Sequence, residues 1–149
     1  MKNYLILAVI FLSLAAAGCS TTGTPVEHAK ACDPENDGKT LEVAGFLNDK
    51  GGLYCSNTGG GPVRCGFKLL ANSGDDKGIS ADVETGTGAN TVEKPASGYK
   101  KEDLKLRDNS GNLITYADKV KVTGKIRSSK DPVSNATVCY MTVAKIEKQ

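Results

Sequence analysis

Lys119-Val-Lys-Val-Thr-Gly-Lys-Ile-Arg127 alternates its side chains with a period of two, and that period decides the fold. Val120, Val122, Gly124 and Ile126 fall on one face, while Lys119, Lys121, Thr123, Lys125 and Arg127 fall on the other. A segment written this way is a strand with one side buried and one side wet. Lysines on the wet side guard a strand against pairing with foreign edges, so the basic row needs no polyanion to explain it.

The same period appears upstream in Thr40-Leu-Glu-Val-Ala-Gly-Phe-Leu47, where Leu41, Val43, Gly45 and Leu47 share a face and the glycine suits tight curvature. Tyr54 and Cys55 open a second segment, which Asn57-Thr-Gly-Gly-Gly-Pro62 interrupts. Residues 64–71 then put Cys65, Phe67 and Leu69 on one face, 72–77 turn, and 79–84 form a short strand. Residues 85–101, with Gly86, Gly88, Pro95 and Gly98, are long for a structureless loop, so they either cap the core or carry function. Tyr99 is the side chain that would pack this loop down. Leu104 and Leu106 alternate with Lys105 and Arg107, and Asp108-Asn-Ser-Gly-Asn112 is a hairpin turn. After a loop at 128–136, the run 137–146 is apolar at both parities, as a closing strand buried on two faces would be.

Composition agrees with an all-β domain. The 149 residues include 17 glycines and no Trp, which favours short strands and turns over long helices. Nineteen basic and 17 acidic side chains nearly cancel, so no field favours nucleic acid as a partner. The aromatic platforms that single-stranded nucleic acid needs are also scarce.

The N-terminus supplies an address. Lys2, an uncharged run over 4–17 and small residues before Cys19 read as a signal peptide over residues 1–18, too short to remain as a spanning anchor. Ala16-Ala17-Gly18-Cys19 resembles the bacterial lipobox, which implies that Cys19 is lipidated and becomes the first mature residue. Residues 19–38 then read as a flexible tether and 39–149 as the folded domain. The expected location is the bacterial cell envelope, with the domain extracytoplasmic and held to a membrane by its lipid; Ser20 is compatible with sorting to an outer membrane where one exists.

Four further cysteines, Cys32, Cys55, Cys65 and Cys139, suit two disulfides in an exported chain. Three pairings are open. Cys55 with Cys65 would close one Gly-rich loop and Cys32 with Cys139 would tie the domain's start to its last strand, contributing somewhat under about 3 and about 4.7 kcal/mol on a chain-entropy model. A four-thiolate zinc site lacks any Cys-x-x-Cys pair. Asp33-Pro-Glu-Asn-Asp-Gly38 echoes half a calcium loop, yet Ala44 stands where a bidentate Glu is needed, so a plain turn is expected and no metal. Gly38-Lys39-Thr40 lacks the first glycine of a P-loop.

The strand order resembles the OB-fold, a five-stranded Greek-key barrel. The resemblance is carried by residues 40–47, by Asp118-Lys-Val-Lys-Val-Thr-Gly-Lys-Ile126 and by Val143-Ala-Lys-Ile-Glu147. With Asn90-Thr-Val-Glu93, the stretch on to Tyr99 and Asp103-Leu-Lys-Leu106, the chain resembles small OB-fold lipoproteins of bacterial envelopes over about 41–147. That resemblance implies a barrel, which the two expected disulfides would stabilise, with a binding face across its second and third strands and their loops and no particular ligand. The family's helix between strands three and four has no amphipathic run here, so a turn or loop should replace it.

The expected function is therefore a non-catalytic binding module that recognises an envelope protein or glycan, without a cofactor. Its candidate contacts are Tyr54, Asn57, Arg64, Asn90 and Tyr99, in loops 56–62 and 85–99 and the flanking strands. A structural or antigenic surface protein is the main alternative. His28 is the only histidine and lies in the tether, which leaves no Ser/His or Cys/His pair. Asp75, Asp76, Asp82 and Glu84 lack any pattern placing two of them across a cleft for hydrolysis.

Overall fold

The computed structural model describes residues 21–50, 52–57 and 60–149. It is all-β, with strands β1 (Thr24–Pro25), β2 (Thr40–Asn48), β3 (Tyr54–Ser56), β4 (Arg64–Leu70), β5 (Ile79–Glu84), β6 (Leu106–Arg107), β7 (Leu113–Ile114), β8 (Val120–Lys130) and β9 (Thr137–Lys148). Short 3-10 turns at His28–Lys30, Pro34–Asn36 and Lys101–Asp103 accompany them. No helix among the described residues is long and apolar enough to cross a membrane.

One sheet runs β1-β2-β8-β9-β5-β4-β3, and β2 also pairs with β4. The first part of β2 pairs with β8, Gly45 opposite Val120, and the next residue, Phe46, already pairs with Leu70 of β4. A Cβ at Gly45 would strike the Leu70 carbonyl oxygen, so this handover between neighbours requires glycine. Pairing is parallel for β1–β2 and β5–β9 and antiparallel elsewhere in this sheet. The inward faces supply Leu41, Val43, Leu47, Phe67, Leu69, Val83, Val122, Ile126, Met141 and Ile146, all almost wholly buried. Each contributes about 1.5–3 kcal/mol by leaving water.

Two strands depart from the expected burial. The β8–β9 register shifts between Thr123 and Gly124, and Thr123, expected on the wet face, is 1% exposed. Val122 and Gly124 on either side are buried too, so β8 keeps its alternation and Thr123 is an outward residue covered by its neighbours; the extra residue of the bulge is Ala144 of β9, and it shifts that strand's buried set from Met141 and Val143 to Ile146. Met141, Val143 and Ile146 of β9 are buried, but Val138 and Tyr140 stand 47% and 42% exposed. The last strand is therefore buried on one face, because no second layer covers the other. β8 also runs on to Lys130, which shortens the loop to residues 131–136 and leaves Val133 94% exposed at its tip.

The largest correction concerns the tether. Thr24 and Pro25 pair with Leu41 and Glu42, and the Val26 N–H donates to the Glu42 carbonyl at 3.0 Å. The His28 ring bonds through Nε2 to the Leu69 carbonyl at 2.8 Å, and Ala31 is wholly buried. Gly38 N donates to Ile126 O, and Ser128 N donates to Asp37 Oδ1. Folded structure thus begins well before Lys39. Ladder bonds and a covalent bridge hold a segment that has no hydrophobic period of its own. The signal peptide and Cys19 lie outside the described residues.

Both bridges are present, Cys32–Cys139 across 107 residues and Cys55–Cys65 across 10. The long loop is laid down as well. Val92 is wholly buried and bridges Thr85 and Leu106. Glu93 meets Arg107 at 2.8 Å and Lys105 at 3.3 Å. Those bonds, Arg107's first, hold its carboxyl below the usual range. Lys101–Asp103 supplies the single helical turn expected in place of a helix.

Candidate functional site

The outward face carries one continuous row of residues in register. Thr40 of β2 lies opposite Lys125 of β8, Lys125 opposite Thr142 of β9, Thr142 opposite Asp82 of β5, Asp82 opposite Gly66 of β4, and Gly66 opposite Tyr54 of β3. Paired residues point to the same side, so the row is a band crossing six strands, about 24 Å at the usual strand spacing. The site lies along its second half.

Gly66 places no side chain at the centre of this half. The result is a cavity of about 160 Å³ bounded by Tyr54, Ser56, Pro62, Arg64, Asp82 and Thr142. Tyr54 is 78% exposed, a large aromatic side chain left in water on a short edge strand. The Cys55–Cys65 bridge joins β3 to β4 immediately beside it, with Cys65 buried inward. That bridge fixes the strand that presents Tyr54, since a three-residue edge strand has few ladder bonds to hold it.

The polar groups around Gly66 are incompletely satisfied. Arg64 reaches Glu84 at 3.5 Å through one terminal nitrogen, and its buried Nε has no hydrogen-bond partner among the described residues. Burial pushes the Asp82 carboxyl above its ordinary range, and Arg64 and Lys68 pull it only partly back. Lys68 itself donates to Ser80 Oγ at 2.7 Å. Arg64 and Asp82 line one hollow beside an open aromatic face, a guanidinium and a carboxyl together, an arrangement suited to a hydroxylated ring. Ring hydroxyls can accept from the guanidinium and donate to the carboxylate while the apolar face lies on Tyr54.

The band continues into a second hollow. Thr21, Thr40, Asn90, Lys125 and Ala144 border it, and Arg64 and Thr142 are shared with the first. Asn90, with φ of 58°, accepts from the Ile146 N–H at 2.8 Å and donates to Asn109 at 3.3 Å, so its amide clasps β9.

Of the residues expected to make contacts, Tyr54 and Arg64 are brought together, and Asn57 follows β3 as an exposed residue that does not line the cavity. Asn90 borders only the adjoining hollow. Tyr99 is elsewhere: its hydroxyl donates to Asp49 Oδ2 at 2.6 Å and accepts from the Leu53 N–H at 2.7 Å. Asp49 is 8% exposed, and burial, then this carboxylate, raise the Tyr99 hydroxyl pKa. Tyr116 is raised more strongly by the same two causes. Both tyrosines therefore pack the loop onto the end of β2. Asp75 and Asp76 belong to a turn, bound to the Asn72 N–H at 2.9 Å and to Lys50 at 3.4 Å. No group of His, Cys, Asp or Glu among the described residues could hold a metal ion; Asn36 and Asp37 spend their polar atoms on Lys30 and Ser128.

Gly66, Asp82 and Thr142 were not singled out as contacts from the sequence, although strand parity held the signal. Once Cys65, Phe67 and Leu69 point inward, Arg64, Gly66 and Lys68 must point outward. The same parity on β5 sends Ser80, Asp82 and Glu84 out. Comparison with protein-family models, with curated proteins and with solved structures finds no match.

Proposed function

We propose that this chain is a lipid-anchored, non-catalytic binding module of the bacterial cell envelope, and that the band over Gly66 holds a glycan. The anchor is Cys19 and the domain is extracytoplasmic. The β2–β4 pairing joins the two ends of the order β2-β8-β9-β5-β4, which supports a five-stranded barrel of the OB type, including its one parallel pair, β5–β9. In such barrels the ligand lies across the second and third strands, here β4 and β5. The observation that carries the reading is the trio lining the hollow over Gly66: exposed Tyr54, Arg64 and half-buried Asp82.

The test is retention of the Cys19→Ala chain on an array of bacterial envelope oligosaccharides. The parent should be held, and Tyr54→Ala should lose at least tenfold in affinity without a change in melting temperature, since an exposed side chain on an edge strand adds little to stability. Retention unchanged by Tyr54→Ala, or no retention at all, would favour a structural or antigenic protein instead.

A further inference from the structure

We propose that the domain sits directly against a lipid headgroup layer, with the hollow bordered by Thr21, Lys125 and Ala144 as its membrane-facing surface. This rests on lipidation of Cys19, read above. The leash is what fixes the orientation. Thr24 and Pro25 are paired with β2, and a Cβ at Gly23 would lie 2.6 Å from the Leu41 carbonyl carbon, so the chain here is pressed against the sheet. Thr21 already borders the hollow. One residue, Ser20, separates Thr21 from Cys19, and that much chain spans at most about 7 Å. A lipid attached at Cys19 therefore holds this hollow at the bilayer surface.

Charge points the same way. Lys125 borders the hollow beside the Arg64–Glu84 pair, which neutralises itself, and Arg127 stands two residues along β8 on the same face. Lys125 and Arg127 are exposed, and neither makes a salt bridge among the described residues. Near an anionic headgroup layer each unpaired cation favours contact about fivefold. The site over Gly66 shares Arg64 and Thr142 with this hollow, so it opens beside the membrane rather than far above it. What it meets first is therefore a headgroup carried by a lipid.

The chain has no Trp, so one introduced indole reports cleanly. Lipidated full-length Ala144→Trp, and separately Lys125→Trp in case the first misfolds, would be placed in vesicles of brominated phosphatidylcholine and phosphatidylglycerol. Val133→Trp is the reference: it lies beyond Thr137, and Ala144 to Thr137 alone is about 23 Å of strand. Bromine should quench the indole at 144 or 125 at least twofold more than at 133. Twelve Gly/Ser residues inserted after Ser20, a coil of about 19 Å r.m.s., should bring the ratio to one. Equal quenching at all positions in the uninserted protein, with the protein still floating with vesicles, overturns the orientation and leaves the anchor standing. A mature chain whose mass shows no lipid, and which does not float, overturns the anchor and the orientation together.

Discussion

The two bridged regions of this molecule use the same bond for opposite purposes. Cys32–Cys139 fastens a segment with little else to hold it: residues 21–38 offer one wholly buried apolar side chain, Ala31, a few ladder bonds and the His28 contact. Cys55–Cys65 fastens two residues that already face each other in the β3–β4 ladder. The first bridge shapes the fold, whereas the second stiffens an edge that presents Tyr54. A covalent bond contributes most to global stability where it closes a long loop, and most to local order where secondary structure is short.

The comparison breaks most visibly at the long bridge. Replacing Cys32 and Cys139 together by Ser should cost up to about 4.8 kcal/mol, the entropy of a loop of 107 residues. That is a large share of what a domain this size possesses. Chemical denaturation would measure the loss, and hydrogen exchange should show amides 26–38 losing protection first. A loss no larger than that of the short bridge would erase the distinction drawn here. Replacing Cys55 and Cys65 by Ser should cost at most about 2.7 kcal/mol, with exchange rising in residues 54–56 while 26–38 stay protected.

The smallest effect sharpens the contrast from the ligand side. Asp82 has its carboxyl pKa raised in the fold, chiefly by burial, so its charged form is disfavoured there. The folded state then binds a proton more readily than the unfolded one. Stability is lost as pH climbs from the ordinary carboxylate value, 3.8, through the raised one, and the penalty is complete above it. Asp82→Asn should therefore stabilise the chain at pH 7 by less than either bridge contributes, and the difference should fade as pH drops through and below 3.8. Melting curves across pH would check this. A gain accompanied by lost glycan binding would mark Asp82 as kept for function at a cost in stability.

Much of this architecture was legible in the residues. The inward set of β2, β4 and β8 followed from a period of two, and the turn at Asp108 from its side chain, whose Oδ1 accepts from the Ser110 and Asn112 N–H groups at 2.8 Å each. Three things escaped, each for a physical reason. Thr123 keeps the outward parity its period gives but is buried there, because cover by neighbouring side chains leaves no mark on periodicity. β9 looked two-faced because Val138 and Tyr140 are apolar, although both stay close to half exposed. The segment before Lys39 looked unstructured because its attachments are backbone bonds and a ring nitrogen on a carbonyl, none of which produces a hydrophobic pattern. At the site, Tyr54 and Arg64 could be seen from type alone, but Gly66 matters through the space it leaves, which only register reveals.

The position of β9 between β8 and β5 imposes a timetable on maturation. Of the described strands it is the farthest along the chain, yet β5 has no second neighbour until it docks, and Cys32 has no rightful mate until Cys139 is in place. Cys55 and Cys65 lie ten residues apart and can join as soon as the chain meets an oxidising compartment. Until β9 docks, the folding chain therefore holds one thiol unpaired and one strand edge bare, the interval in which a thiol isomerase or a chaperone has the most to do.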